Sequence, residues 1–480
     1  MASRLGLISP MSFSRRPANA SIAHAVALSL PWFSLAGGLC LAQATFAQDT
    51  RTVSEPVAPA TCTKLTAHLI SNKGALNETD ESRLDTARIQ QAIDSCPARK
   101  AVELASDSER NAFLSAPLQL PSGVTLVVDK GVTLFGSRNP RDYDVSPGSC
   151  GIVNEKGHGC KAIINGTHAE NAGVMGPGTI DGRGGAKLLG AKVSWWDLAQ
   201  QAKVTNKNQN CPRLLILTRC NNFTLYNITL TNSPNFHVSY NLGNGFTAWG
   251  VIIDSPKTAR NTDGIDPANS TNVTITHCFI HTGDDQIAIK AGGTVPSTDM
   301  SIVHNHFYTG HGMSIGSETD SGANHILVED LSIDGADNGI RIKSNSSRGG
   351  LVEDVKYEDV CIRDTKNPIY MDTNYSASVG KERNKLPTFQ NITLHNVHIL
   401  DGGKITLDGY DPAHRLQMNF DDVTIGGTPK ISAVHADFVL GPGPVNFQAS
   451  GDDVHVTGKP RKKSKGNACA SKFVPMPVTP

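Results

Sequence analysis

Residues 222–230, NFTLYNITL, decide the fold because the chain repeats them: 272–280 (NVTITHCFI), 300–307 (MSIVHNHF), 325–333 (HILVEDLSI), 351–362 and 390–399 (QNITLHNVHI). Each copy alternates apolar and polar side chains, the period of a strand with one buried face. Each then yields to a turn and a second short run, such as 286–291 or 312–316. The copies recur every 22–32 residues or so, inside the range in which repetition signals a stacked solenoid. No useful helical period lies between them, which excludes leucine-rich and TPR-type arrays. A propeller and a right-handed parallel β-helix remain. The irregular period and runs of only three to six residues favour the all-β, right-handed parallel β-helix, each coil stacking about 4.8 Å above the last. Upstream, Asp85 is placed to cap a short helix with Ile89, Ala92 and Ile93 on one face. That helix would cover the open N-terminal edge of the stack, and no helical period is read after it.

A chain of 480 residues, 39% hydrophobic and with 45 glycines, buries an ample core without a metal or disulfide staple. Its 18% charged content argues against disorder and coiled coil. The 44 basic and 44 acidic side chains cancel, so nothing points to a nucleic-acid partner. The zero is a sum over unlike segments. Residues 1–47 carry Arg4, Arg15 and Arg16, an apolar stretch and small-x-small sites at 42–44 and 45–47. This is the pattern of a signal peptide, with Ser14-Arg15-Arg16 hinting at twin-arginine export. Pro31, Gly37 and Gly38 interrupt the apolar stretch, so no membrane span is expected once it is cleaved. Residues 48–61 read as an extended lead-in, 62–455 as one β-helix, and 456–480 as a basic tail in solvent. The tail contributes six cations and no acid, which leaves residues 48–455 with 35 basic against 44 acidic side chains, a net −9. The protein is expected to be secreted and to act as a monomer.

In an oxidising compartment cysteines pair. Cys62 with Cys96, and Cys150 with Cys160 around a short Gly-rich loop, are the expected bridges. Cys211, Cys220, Cys278, Cys361 and Cys469 are not assigned, and the odd mature count leaves at least one free thiol, expected to be buried. No Cys-x-x-Cys pair is present, so neither zinc nor any other metal or cofactor is expected.

Polar clusters fall at the ends of successive repeats: Asn261-Thr262-Asp263, Gly283-Asp284-Asp285, Gly310-His311-Gly312 and Arg341-Ile342-Lys343. Asp263 to Asp284 is 21 residues, Asp284 to His311 is 27, and His311 to Arg341 is 30, each close to one coil. Tyr375, 32 residues beyond Lys343, continues the column. Any one cluster alone is more simply a turn or a calcium-binding loop. Together they stack three carboxylates, an imidazole and two cations on one face. Crowded carboxylates raise at least one pKa, which suits a general acid, and an acid–carboxylate pair is the apparatus of glycoside hydrolysis. Arginine and lysine beside it would bind an acidic sugar, which suggests a uronic-acid polymer.

In this order the four motifs resemble the signature of the polygalacturonases, the pectin-degrading β-helix glycoside hydrolases. Residues 176–182 (GPGTIDG), 232–236 (NSPNF) and 259–267 also match, and the similarity runs from about Cys62 to about residue 430. It looks closest to secreted bacterial endo-polygalacturonases. The resemblance implies cleavage of α-1,4-galacturonosidic bonds in polygalacturonate with inversion. It makes Asp284 the general acid, and has Asp263 and Asp285 activate the water. It has His311 tune the acid, with Arg341, Lys343 and Tyr375 binding a galacturonate beside the scissile bond. A pectate lyase would share the fold but use calcium and eliminate. A β-helix adhesin would share the repeat and secretion without the chemistry.

Overall fold

The computed structural model describes residues 48–107, 109–376, 385–461 and 469–478; the expected signal segment and Lys462, Lys463 and Lys465 of the tail lie outside them. The strands form a parallel β-helix with three faces. The face that matters for function stacks Val238–Asn241, Ile265–Ala268, Ile287–Ile289, Met313–Gly316, Asn338–Lys343 and Asn367–Asp372, every pairing parallel. Ile265, Ile287, Met313, Ile340, Ile369 and Ile405 lie in register down its inner side, all fully buried. Such columns hold the stack, each side chain contributing roughly 1.5–3 kcal/mol.

The Asn, Asp and His residues that punctuate the repeats have a mechanical role. Asn227, His277, His304, Asp330, Asp359, Asn396 and Asp422 all sit at φ between +49° and +58°, one per coil at the corner between two faces. A left-handed residue turns the chain there, and short polar side chains tolerate that conformation best. In the early coils the corner separates two strands, Thr271–Thr276 from Phe279–His281. Later it is absorbed into one strand, as in Leu351–Arg363 with 13 residues. The expectation of strands of three to six residues therefore fails for the later coils.

Helix α1 (Thr86–Ser95) buries Ile89, Ala92 and Ile93 against the first coil. A second helix, α2 (Trp195–Thr205), was not anticipated. It begins at a reciprocal capping box in which Ser194 and Asp197 each satisfy the other's backbone N–H, and it buries Trp195, Leu198, Ala199 and Ala202.

Cys62–Cys96 and Cys150–Cys160 are bridged, and Cys361–Cys469 forms a third disulfide; Cys211, Cys220 and Cys278 are free and buried. The third bridge corrects the reading of residues 456–480 as a solvated tail. Strand Asp452–Gly458 runs through the expected boundary. Cys469 is tethered to the coil, Lys472 pairs with Asp330, and the Tyr308 hydroxyl donates to Val474 O at 3.0 Å. Among the described residues no helix is long and apolar enough to cross a membrane.

Candidate active site

Strand period places the functional side chains. Ile340 and Ile342 point into the core, so Arg341 and Lys343 point out of the same face. One coil below, Ser314 and Gly316 lie opposite Arg341 and Lys343. Asp263, Asp285 and His311 each stand two residues before the first paired residue of their strands, Ile265, Ile287 and Met313. The turns thus deliver Asp263, Asp284, Asp285 and His311 to one edge of the face that bears Arg341 and Lys343.

Asp285 is the buried centre. Its Oδ1 accepts from Arg341 Nη1 at 3.0 Å and from Ser314 Oγ at 2.9 Å, and its Oδ2 accepts from Lys343 Nζ at 2.6 Å. Burial alone would raise its pKa, but Lys343 and Arg341 outweigh it and hold the carboxyl far below the usual range. Asp284 is the more exposed of the adjacent pair. Its Oδ1 accepts from His311 Nδ1 at 3.0 Å. Burial again works towards neutralising it, but the His311 bond prevails and its pKa is lowered. His311 responds in kind: against the effect of burial, Asp284 raises its pKa. Behind it, His311 Nε2 lies 3.9 Å from Asp337 Oδ2.

Asp263 behaves differently. Burial, then repulsion from Asp266 and Asp284, pushes its pKa well above normal. Asp266 is pushed up to about 6 by burial, against the pull of Lys290 and Arg213. Crowding does raise a carboxyl pKa, as expected from sequence, but the carboxyl it raises is that of Asp263, while the His311 bond lowers that of Asp284.

Tyr375 joins the constellation through its ring, whose centroid lies 5.2 Å from the Arg341 guanidinium carbon and 5.4 Å from Lys343 Nζ. Tyr370, opposite Arg341 in register, adds a second ring at 5.5 Å. Sequence reasoning missed Tyr370, Ser314, Asp266 and Lys290. Lys290 had a signal: Ile287-Ala288-Ile289-Lys290 has the in–out pattern of Ile340-Arg341-Ile342-Lys343. Asp284, Asp285 and His311 offer ligand atoms within 4.8 Å of one another, a spacing that a metal ion could use. Arg341 and Lys343 already occupy both Asp285 oxygens, and their charge opposes a dication there.

Comparison with known proteins decides the affiliation. The model of the Glycosyl hydrolases family 28 matches residues 96–437. The chain belongs to glycosyl hydrolase family 28. Within this family of glycosidases the chain is 47% identical to an endo-polygalacturonase of Pectobacterium carotovorum subsp. carotovorum, covering 79% of this chain and 90% of the relative. It is 38% identical to a polygalacturonase of Ralstonia solanacearum, covering 88% and 92%. The solved polygalacturonase from Erwinia carotovora ssp. carotovora superposes with a TM-score of 0.75 at 42% identity, over 85% of this chain and all of that one. Family 28 membership and the parallel β-helix thus agree with the motif resemblance.

Proposed function

We propose that this family 28 enzyme hydrolyses internal α-1,4-galacturonosidic bonds of polygalacturonate, inverting the anomeric carbon, as a secreted monomer. The names of the Pectobacterium relatives support the endo-acting polygalacturonate reading, and three disulfides support an oxidising, extracytoplasmic destination. The observation that carries the reading is the pairing of Arg341 and Lys343 with Asp285, beside the Asp284–His311 hydrogen bond.

Arg341 and Lys343, braced by Tyr375, hold the carboxylate of a galacturonate beside the scissile bond. Asp284 is the donor because its side chain is 18% exposed, against 2% for Asp285 and 4% for Asp263. Geometry ranks before resting ionisation in choosing an acid. His311, one 3.0 Å hydrogen bond away and with its pKa raised by Asp284, is the group placed to pass it a proton. An arriving substrate carboxylate competes with Asp285 for Arg341 and Lys343. The added negative charge favours Asp284 as the neutral acid, and His311 supplies the proton. Asp263 and Asp285 then orient and deprotonate the water. Asp284 and Asp285 have oxygens within 4.8 Å, closer than the ~6.5–9.5 Å usual between the acid and base of inverting enzymes.

The test is hydrolysis of polygalacturonate followed by proton NMR of the new reducing ends. Early products should be mixed oligomers bearing the inverted β-anomer. Initial α-anomers would replace inversion with retention, and monomer alone would replace endo with exo action.

A further inference from the structure

One charged cluster in the cleft is not used by this scheme. Lys290 points out of the functional face, because Ile287 and Ile289 on either side of Ala288 are fully buried. Register brings it to the same face: Ile289, the residue before it, pairs with Ile315, the residue before Gly316, and Gly316 pairs with Lys343. Lys290 and Lys343 are thus two coils apart, roughly 9–10 Å along the stack. Between them Gly316 lets the backbone of the next coil approach closely, since a Cβ there would meet Lys343 O. Asp285 bonds both Ser314 and Lys343, and Asp263 lies beside Lys290.

Lys290 Nζ sits 3.5 Å from Asp263 Oδ2, 3.3 Å from Asp266 Oδ2 and 4.9 Å from the Phe236 ring centroid. The Arg213 guanidinium carbon lies 4.5 Å from the same ring. Two cations therefore share one aromatic ring on the N-terminal side of the acids, as Arg341 and Lys343 share Tyr375 on the C-terminal side. The Lys290 side chain is 21% exposed, enough to meet a ligand. Asp266 and Asp263, then Glu318 and Asp285, raise the pKa of Lys290 against the effect of burial, so it is a cation that a substrate carboxylate can meet.

We propose that Lys290, supported by Arg213 and Phe236, binds the carboxylate of the galacturonate on the opposite side of the scissile bond from Arg341 and Lys343. The site then reads a free acid on both sugars that flank the cut, and Lys290 is a specificity-determining residue. This inference rests on the polygalacturonate reading above.

The test uses the full-length enzyme and its Lys290→Met and Lys290→Arg variants on oligogalacturonates with random partial methyl esterification. Mass spectrometry reads whether each new chain end carries an ester. For the wild type both new ends should be free acids. For Lys290→Met one of the two new ends, and only one, should accept the ester, while KM for fully de-esterified substrate rises about tenfold or more. Lys290→Arg should keep the free-acid preference. The ester ratio is internal to each reaction, so it is independent of how much variant folds. An equal loss of activity on all substrates, with both ends still free acids, would reduce Lys290 to a structural counterion and overturn the proposal. Unchanged KM and ester pattern would overturn it too. Failure of the wild type to cleave polygalacturonate would instead sink the functional reading itself.

Discussion

Two histidines of this chain are built alike and differ in consequence. His311 reaches the acid one coil below through Nδ1, Asp284 at 3.0 Å, and the acid one coil above through Nε2, Asp337 at 3.9 Å. His325, at an outer corner, does the same with Asp299 at 3.1 Å and Asp354 at 3.9 Å. Their own exposures are close, 34% and 45%. What differs is what stands behind the acids. Asp299 accepts from the Thr271 hydroxyl at 3.1 Å and the Asp354 side chain is exposed, whereas Asp284 adjoins a carboxylate locked between two buried cations. A histidine stacked between acids is thus a common corner device of this solenoid, and it becomes chemical machinery only where desolvated charges lie in register with it.

The comparison can be broken most severely at Asp284. Asp284→Asn should lower kcat by about 10²–10⁴-fold with the melting temperature little changed, read by reducing-end assay and thermal unfolding. Asp285→Asn strands two buried cations and should cost about 3–5 kcal/mol of stability as well as activity, measured by denaturant unfolding at neutral pH. The electrostatic sign is set by its depressed pKa. The stabilisation is present above the ordinary Asp range and is lost as pH falls through the folded value.

Cys469→Ser opens a loop with a sequence separation of 108. It should remove about 2–4 kcal/mol and free the segment that holds Tyr308, visible as a lower denaturation midpoint than that of the non-reduced wild type. The two histidines give the subtler contrast. Asp284 raises the His311 pKa, so their bond is at full strength below the unfolded value of about 6.5 and is lost as pH rises through the folded value. The alkaline limb of kcat/KM should therefore follow His311 and disappear in His311→Gln. The same change at His325 should leave the pH profile intact and alter stability by about 0.5 kcal/mol or less.

Much of this was legible from residues alone because a solenoid turns sequence interval into spatial height. The repeats of 222–230 announced the coils, and intervals of 21, 27 and 30 residues placed Asp263, Asp284, His311 and Arg341 on one edge. Helix α2 escaped because its capping box at Ser194 and Asp197 opens on two tryptophans rather than a recognisable apolar period. The Cys361–Cys469 bridge escaped because long-range pairing leaves no local trace. Lys290 escaped although its Ile-Ala-Ile-Lys run has the pattern of the run that ends in Lys343, because its partners Asp266 and Phe236 are brought to it only by the fold. Which carboxyl pKa is raised and which lowered was also out of reach, since it depends on His311 meeting Asp284 while Asp263 meets Asp266.

The most direct measurement is a time course on polygalacturonate with and without excess EDTA, following reducing ends, product sizes and the ultraviolet absorbance of unsaturated sugars. Acid–base hydrolysis by the Asp263–Asp284–Asp285 cluster predicts mixed saturated oligomers released at the same rate in both. Unsaturated products, or activity abolished by the chelator, would contradict it.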